Sequence, residues 1–133
     1  MKILKNIKDL KKAISKISNL GFVPTMGGLH KGHISLIKLS KKKCNKTLVS
    51  IYVNPIQFNR ISDFRNYPRN LNNDIKILKK HKVDFLFIPH TKEILKNKNK
   101  KIVIKNKDKI LCAIHRKGHF EGVLEIMNRF VKI

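Results

Sequence analysis

One ten-residue segment constrains this chain more than any other feature: residues 24–33, with the sequence Pro-Thr-Met-Gly-Gly-Leu-His-Lys-Gly-His. An apolar stretch, residues 20–23, precedes the segment, and apolar residues at helical spacing follow it over residues 33–43. A strand that ends in a glycine-containing turn and opens a helix presents backbone N–H groups and the positive end of the helix dipole to an anion. The segment therefore predicts a phosphate-binding turn.

The glycines and histidines of this segment have separate physical uses. Gly27 and Gly28 allow a tight turn, and Gly32 removes a Cβ where a nucleotide would lie close. His30 and His33 are three residues apart, so their rings can lie side by side at the start of the helix. Imidazoles there can donate hydrogen bonds to phosphate oxygens and, near neutral pH, supply charge or a proton.

Two other interpretations of these histidines are weaker. They could be exposed polar residues beside a turn, but the apolar strand before them and the helix after them supply the context that a phosphate-binding motif requires. A metal site is disfavoured, because no cysteine or carboxylate lies nearby in the sequence to complete it.

The rest of the chain alternates between apolar patterns typical of helices and apolar patterns typical of strands. Longer apolar patterns predict helices over residues 6–18, 33–43, 70–81 and 122–131, and buried strands over residues 20–23, 47–53 and 83–88. Shorter patterns predict helices at residues 91–95 and 108–114 and a strand at residues 102–104. Residues 54–68 have no period and predict a functional loop. Alternating strands and helices predict an α/β fold, with a parallel sheet flanked by helices and right-handed crossovers.

Length and composition narrow the class of protein. A chain of 133 residues, 41% of them hydrophobic, matches one compact folded domain. The apolar stretches are too short to cross a bilayer, and lysines interrupt the N-terminus where a signal peptide would be apolar. Cys44 and Cys112 form neither a disulfide framework nor a metal-ligand pattern. We expect a cytoplasmic protein with no membrane partner.

The formal charge of +23 raises the question of nucleic-acid binding. Lysines are scattered over nearly every predicted element, however, and aromatic residues do not alternate with them as stacking platforms. This pattern favours a background compositional bias over a nucleic-acid surface. The charge would still attract anionic ligands to a cleft.

The residues also carry a resemblance to known proteins. His30-Lys31-Gly32-His33 resembles the signature of nucleotidyltransferases and class I aminoacyl-tRNA synthetases, and residues 24–33 together resemble, more narrowly, the pantothenate synthetase (pantoate–β-alanine ligase) family. Further blocks agree in order over essentially the whole chain, at residues 50–58, 67–69, 74, 83–89 and 118–123. The resemblance implies a Rossmann-like fold of the nucleotidyltransferase type, with residues 1–133 as an N-terminal ATP- and pantoate-binding domain.

The same resemblance implies an activity. Members of the family join pantoate to β-alanine with ATP and Mg²⁺, through a pantoyl-adenylate, and release AMP and pyrophosphate. The chain is accordingly expected to be the N-terminal part of this carbon–nitrogen ligase. One alternative is a degenerate, non-catalytic module that binds nucleotides or polyanions. Another, opposed by the block at residues 50–58, is a nucleotidyltransferase relative that uses a different acid.

The family match assigns roles residue by residue. The ATP-binding residues are Met26, Gly27, Gly28, Leu29, His30, Lys31, Gly32 and His33. His33 matches the catalytic histidine described as a proton donor, and His30 would help it to stabilise the charge on phosphate. The expected pantoate and β-alanine residues are Gln57, Asn54, Met26, Tyr67 and His119.

Some of these residues have plainer interpretations. Asn54 could be only a turn residue before Pro55, and His119 could be a loop histidine with a structural hydrogen bond. Arg69 and Asp74 are assigned no chemistry, as a loop arginine and a solvated helix carboxylate.

The chain departs from the family chiefly in length, since family members are roughly twice as long and have a second domain. Their Gly-Glu-Lys-Asp block, a following glutamine and a Met-Ser-Ser-Arg segment have no counterpart here. Because the groups of a preorganised site act together, we expect little or no ligase activity from this chain alone. The chain is expected to be either truncated or completed by a separately encoded C-terminal part, and a second copy of the chain is the other candidate partner, as in the family.

Overall fold

The structure is a computed structural model that describes residues 1–96 and 118–133. It divides into two compact units: residues 1–53 with 68–93, and residues 54–67 with 94–133. The predicted strand at 102–104 and helix at 108–114 lie outside the described residues. None of the helices in the described ranges has the length and apolarity to span a bilayer.

The first unit is built on a parallel sheet. Its strands within the described residues are β1 (Lys2–Leu4), β2 (Leu20–Thr25), β3 (Lys46–Ile51) and β4 (Phe85–Phe87). They lie in the order β1-β4-β3-β2, and every neighbouring pair is parallel. The predicted α/β fold is therefore confirmed.

The described helices include all those predicted outside residues 97–117, in the predicted order, and two more. They are α1 (Ile7–Ile14), α2 (Lys31–Lys43), α3 (Ile61–Arg65), α4 (Leu71–Lys80), α5 (Thr91–Ile94) and α6 (His119–Val131), and a 3₁₀ helix covers Pro55–Gln57. In the first unit, α2 and α4 each place one fully buried apolar residue, Ile37 and Leu78, in the core with the strands. The rest of this core comes from β2, β3, β4 and the turn before β4, through Val23, Val49, Leu86 and Val83. Burial of each of these side chains stabilises the unit by about 1.5–3 kcal/mol.

The structure corrects several predicted boundaries, among them those of α1, β2, β4 and α6. Helix α1 ends at Ile14 because the sequence after it, Ser-Lys-Ile-Ser-Asn, contains residues that compete with helical hydrogen bonds. Strand β2 runs through Pro24 to Thr25. The carbonyl of Thr25 accepts a hydrogen bond from the Tyr52 N–H, so Thr25 faces β3 and the nitrogen of Pro24 faces the other edge. Proline therefore costs the ladder no bond there. Strand β4 is shorter than predicted, and α6 begins three residues earlier.

Three elements were not predicted at all. Strand β1 has only three residues, too few for a period, and its Leu4 carbonyl accepts a hydrogen bond from the Ile88 N–H. The predicted loop at residues 54–68 contains the 3₁₀ helix and α3, which are also too short to show a helical period.

Candidate active site

The turn between β2 and α2 starts at the carboxyl end of the sheet, where parallel α/β folds bind ligands. Thr25, almost fully buried at the end of β2, secures it. Its Oγ1 donates to the Ser50 carbonyl of β3 at 2.8 Å and accepts the Gly27 N–H at 3.1 Å. The position of the turn is thereby fixed relative to the neighbouring strand.

The first two glycines of the turn adopt conformations that other residues avoid. Gly27 has φ of 82° and Gly28 has φ of 63°, both in the left-handed region. A Cβ at Gly27 would also lie 2.9 Å from Asp74 Oδ2 and 3.3 Å from Ile51 Cγ2. Position 27 therefore requires glycine for its backbone angle and for space.

Asp74 was interpreted from the sequence as a solvated helix carboxylate, and this interpretation is wrong. Its residue exposure is 2%, and it lies on the first turns of α4. One carboxylate oxygen, Oδ2, accepts the Gly28 N–H at 3.0 Å, and the other, Oδ1, accepts the Leu29 N–H at 2.9 Å. The sequence did contain a signal, because Asp74 is four residues before the buried Leu78 and falls on the apolar face of α4.

The two histidines of the turn segment cap the N-terminus of α2. His30 is the N-cap, and its Nδ1 accepts the Gly32 N–H at 3.1 Å. His33 Nδ1 accepts the His30 N–H at 3.3 Å, and the ring centroids are 4.1 Å apart. Two orphan amides of the helix start are satisfied in this way.

This hydrogen-bond pattern assigns the tautomers of both rings. A nitrogen that accepts an N–H needs its lone pair, so Nδ1 of each neutral imidazole is unprotonated and the proton lies on Nε2. His30 is exposed and His33 is partly exposed. Each ring thus offers an Nε2–H donor, while the opposite nitrogen fixes its orientation.

The charge state of His33 is also shifted. Partial burial lowers the pKa of His33 and the neighbouring His30 lowers it further, while Asp74 raises it to a smaller extent. Near neutral pH, the His33 ring is therefore neutral and acts as a hydrogen-bond donor. Its role in the site does not require a positive charge on the ring.

This pKa shift gives a testable pH dependence. We expect the His33 imidazole to titrate below about 6.5, the ordinary value, in an NMR pH titration of the ring carbons. The unfolded chain then binds this proton more readily than the folded chain, so the His33 contribution to stability falls as pH drops from about 6.5. A His33→Gln variant should lose that part of the pH dependence of the free energy of unfolding, as measured by urea unfolding at several pH values. Titration of His33 above 6.5 would contradict the expectation.

The second unit contains a buried amide pair. Asn54 Oδ1 accepts the Ile56 N–H at 3.2 Å, and Asn54 Nδ2 donates to Gln57 Oε1 at 3.2 Å and to the Gly122 carbonyl at 3.1 Å. Asn54 is therefore the turn residue of the plainer interpretation, and it also holds the side chain of Gln57; its binding of pantoate or β-alanine stays a prediction. The donor from Asn54 fixes which end of the Gln57 amide carries the oxygen.

His119 belongs to the same group of residues. Its Nδ1 lies 2.8 Å from the Gln57 carbonyl oxygen, which only accepts, so Nδ1 carries the proton and Nε2 of the neutral ring has the lone pair. The structural hydrogen bond considered for His119 is present, although the residue begins α6 and is not in a loop. The Tyr67 ring packs edge-on against Phe58, with centroids 5.5 Å apart.

Asn54 offers a direct test of this arrangement. Asn54→Ala removes the hydrogen bonds that Asn54 donates to the Gly122 carbonyl and to Gln57 Oε1, so we expect a loss of about 1–3 kcal/mol in the free energy of unfolding. Asn59→Ala, at an exposed position nearby in sequence, should change it by less than about 0.5 kcal/mol. Urea unfolding curves of the two variants provide the comparison. Equal stability of both would show that the amide pair contributes nothing.

Carboxylates and histidines do not converge on a metal position in the described part of the chain: no group of three or more His, Cys, Asp or Glu side chains there is arranged to hold an ion.

Comparison with known proteins adds to this geometry. The sequence model described as pantoate-beta-alanine ligase matches residues 2–133. The chain belongs to that family. Two relatives named pantothenate synthetase are similar to it over nearly its whole length. The protein of Pseudothermotoga lettingae is 42% identical, with 100% of this chain and 49% of the relative covered. The protein of Leptospira biflexa is 43% identical, with 97% and 48% covered.

Solved pantoate-beta-alanine ligases have the same fold. The Francisella tularensis structure, described as complexed with beta-gamma ATP and beta-alanine, has a TM-score of 0.93 at 41% identity and covers 99% of this chain and 52% of its own. A Thermus thermophilus structure has a TM-score of 0.89 at 32% identity and covers 98% and 48%. The chain spans about half the length of the relatives that it matches.

Proposed function

We propose that this chain supplies the nucleotide-binding part of an enzyme that condenses pantoate with β-alanine at the expense of ATP. The reaction passes through a pantoyl-adenylate and releases AMP and pyrophosphate. The observation that carries the proposal is the capped pair of histidines at the β2–α2 turn, in a chain of the pantoate-beta-alanine ligase family. The Francisella relative, described as a complex with ATP and β-alanine, supports the choice of ligands.

The two imidazoles would act on the first chemical step. When the pantoate carboxylate attacks the α-phosphorus, negative charge grows on phosphate oxygens and on the leaving pyrophosphate. The Nε2–H groups of His30 and His33 are suited to bind those oxygens, because the Nδ1 bonds already hold both rings in place. Donors fixed before the reaction do not have to reorganise as charge develops. His33 is the residue that we assign as proton donor.

Gln57 is proposed to bind pantoate and to lie by the β-alanine position. An amide can donate to a carboxylate and accept from a hydroxyl without adding charge, and pantoate has both groups. The bond from Asn54 holds the Gln57 side chain in one orientation, which such recognition requires. Met26, Tyr67 and His119 complete the proposed substrate residues.

Mg²⁺ would enter with the triphosphate, where it neutralises phosphate charge. The described residues do not fit a protein-held Mg²⁺ at the turn. Both oxygens of Asp74 already accept amide hydrogens, and no group of three or more His, Cys, Asp or Glu side chains within residues 1–96 and 118–133 is arranged to hold an ion. We therefore derive no step through a metal ligated by this part of the chain.

The relatives are about twice as long, and we propose that residues of their other half complete the reaction. The test is pantothenate formation from ATP, Mg²⁺, pantoate and β-alanine, with this chain alone and after mixing with the C-terminal half of the Pseudothermotoga lettingae relative. We expect little product from the chain alone and a clear gain on mixing. Full activity alone would contradict the need for a second half. No gain with a folded partner would reject the two-part enzyme.

The alternative of a polyanion-binding module predicts a different outcome. Exposed lysines such as those at residues 41–43 would attract ATP by charge alone. ATP binding would then weaken steeply as the salt concentration rises. Replacement of the two histidines would not change the affinity for ATP, and other polyanions would compete with ATP equally well. Cytoplasmic location and dimer formation stay predictions from the sequence.

A further inference from the structure

A buried carboxylate accepts hydrogen bonds from the β2–α2 turn, which the family signature assigns to phosphate binding. Resting on the function proposed above, we propose that Asp74 is a positioning residue: it occupies the amides of Gly28 and Leu29, and it thereby leaves recognition of the phosphate oxygens to the imidazoles of His30 and His33.

The geometry gives Asp74 a specific partner for each oxygen. Oδ2 lies 3.0 Å from the Gly28 nitrogen, and Oδ1 lies 2.9 Å from the Leu29 nitrogen. The residue is 2% exposed, so water does not compete for these bonds. Gly27 leaves the space that the carboxylate needs, because a Cβ there would lie 2.9 Å from Oδ2. The glycine and the aspartate thus form one structural unit, although 46 residues separate Gly28 from Asp74.

The neighbouring amides are also occupied. Gly27 N–H donates to Thr25 Oγ1, Gly32 N–H donates to His30 Nδ1, and His30 N–H donates to His33 Nδ1. A glycine-rich turn ordinarily binds an anion with successive backbone N–H groups. At this turn a phosphate would have to displace a buried carboxylate of like charge to reach the amides of Gly28 and Leu29. The expectation that exposed turn amides face the ligand is therefore corrected for these positions.

The charge of Asp74 also acts on the histidine pair. Among the described residues, Asp74 and His30 are the ionisable groups whose charges act on His33, and they act in opposite directions. Asp74 is fixed by the turn amides, and the turn leads directly into the helix start that carries both rings. One side chain thus sets the position of the turn and biases the protonation of the histidine that follows it.

The test compares Asp74→Asn with Asp84→Asn in the chain itself. Asparagine has the same shape, but only one of its two end atoms accepts, so one turn amide loses its partner. Asp84 is a matched control, because its carboxylate also accepts a backbone N–H, from Thr47 at 2.9 Å, together with the Lys46 ammonium at 2.9 Å. Removal of either charge can lower stability, but only Asp74→Asn should alter the turn.

Three readouts separate positioning from general destabilisation. In Asp74→Asn we expect faster hydrogen exchange at the Gly28 and Leu29 amides and a lower pKa of His33 by NMR titration. We also expect ATP binding to weaken about tenfold, the loss of roughly one hydrogen bond to a charged phosphate oxygen, because the imidazoles are displaced. Asp84→Asn should leave all three at the parent values. Unmoved turn amides and an unchanged His33 pKa in Asp74→Asn would overturn the proposal, and so would tighter ATP binding, because the released amides would then be phosphate ligands.

The parent chain supplies a measurement that needs no variant. On addition of ATP, we expect the ring resonances of His30 and His33 to shift while the amide resonances of Gly28 and Leu29 stay nearly in place. Large shifts of those two amides on binding would overturn the proposal even if Asp74→Asn does not fold. Failure of ATP to bind the parent chain would reject the proposed function, whereas the exchange and pKa readouts, taken without nucleotide, judge the role of Asp74 separately.

Discussion

The double variant His30→Asn/His33→Gln is expected to bind ATP about a hundredfold more weakly than the parent chain, with the fold unchanged. Each imidazole Nε2–H is proposed to donate to a charged phosphate oxygen, and such a bond contributes about 1.5–3 kcal/mol. Loss of both therefore costs about 3 kcal/mol or more. Isothermal titration calorimetry of ATP, at one fixed salt concentration, measures the change.

These replacements are chosen to spare the helix. Asparagine is a favoured N-cap and can accept the Gly32 N–H, and glutamine at the third helical position can accept the N–H of residue 30. Circular dichroism should accordingly show α2 retained. His81→Ala, at the C-cap of α4 and the amino end of β4, serves as the control and should bind ATP like the parent. Unchanged affinity in the double variant would reject the imidazoles as phosphate ligands and favour attraction by lysines.

Gly122→Ala is expected to destabilise the second unit by about 2 kcal/mol or more, although alanine in place of glycine within a helix ordinarily stabilises by about 1 kcal/mol. A Cβ at Gly122 would lie 2.8 Å from the Gln57 Cα and 3.0 Å from the Gln57 nitrogen. These are backbone atoms, so no side-chain rotation relieves the contact. The Asn54 bond to the Gly122 carbonyl would be lost with any movement of α6.

Urea unfolding with a probe in α6 measures this effect. Asn128→Ala, in the same helix, reports the effect of an alanine on helix propensity at another position, and it should be neutral or slightly stabilising. A Gly122→Ala variant as stable as Asn128→Ala would show that α6 and the 3₁₀ helix pack less closely than in the structure.

The sequence predicted the β2–α2 turn and the parallel sheet because both have strong local signals. Hydrophobic periods fix the type of an element, and the glycines fix the turn. The histidine pair at helical spacing could likewise be placed at the helix start, where the structure has it.

What the sequence could not show was contact between distant residues. The bonds from Gly28 and Leu29 to Asp74 join parts of the chain with no local relation, and so does the close approach of Gly122 to Gln57. From the sequence, a carboxylate on a helix is interpreted as solvated unless its position on the apolar face of the helix is taken into account. Asp74 satisfies that test, since Leu78 lies one turn later and is fully buried.

The placement of β1 has a consequence for how the chain is made. Lys2 pairs with Phe85 and Leu4 with Phe87, so β1 finds its partner only after residues 85–87 have left the ribosome. Closure of so long a loop is entropically costly, and contacts distant in sequence form slowly. Strands β2 and β3, which are close in sequence, can pair long before. Strand β1 is therefore expected to join the sheet after β2 and β3 have paired.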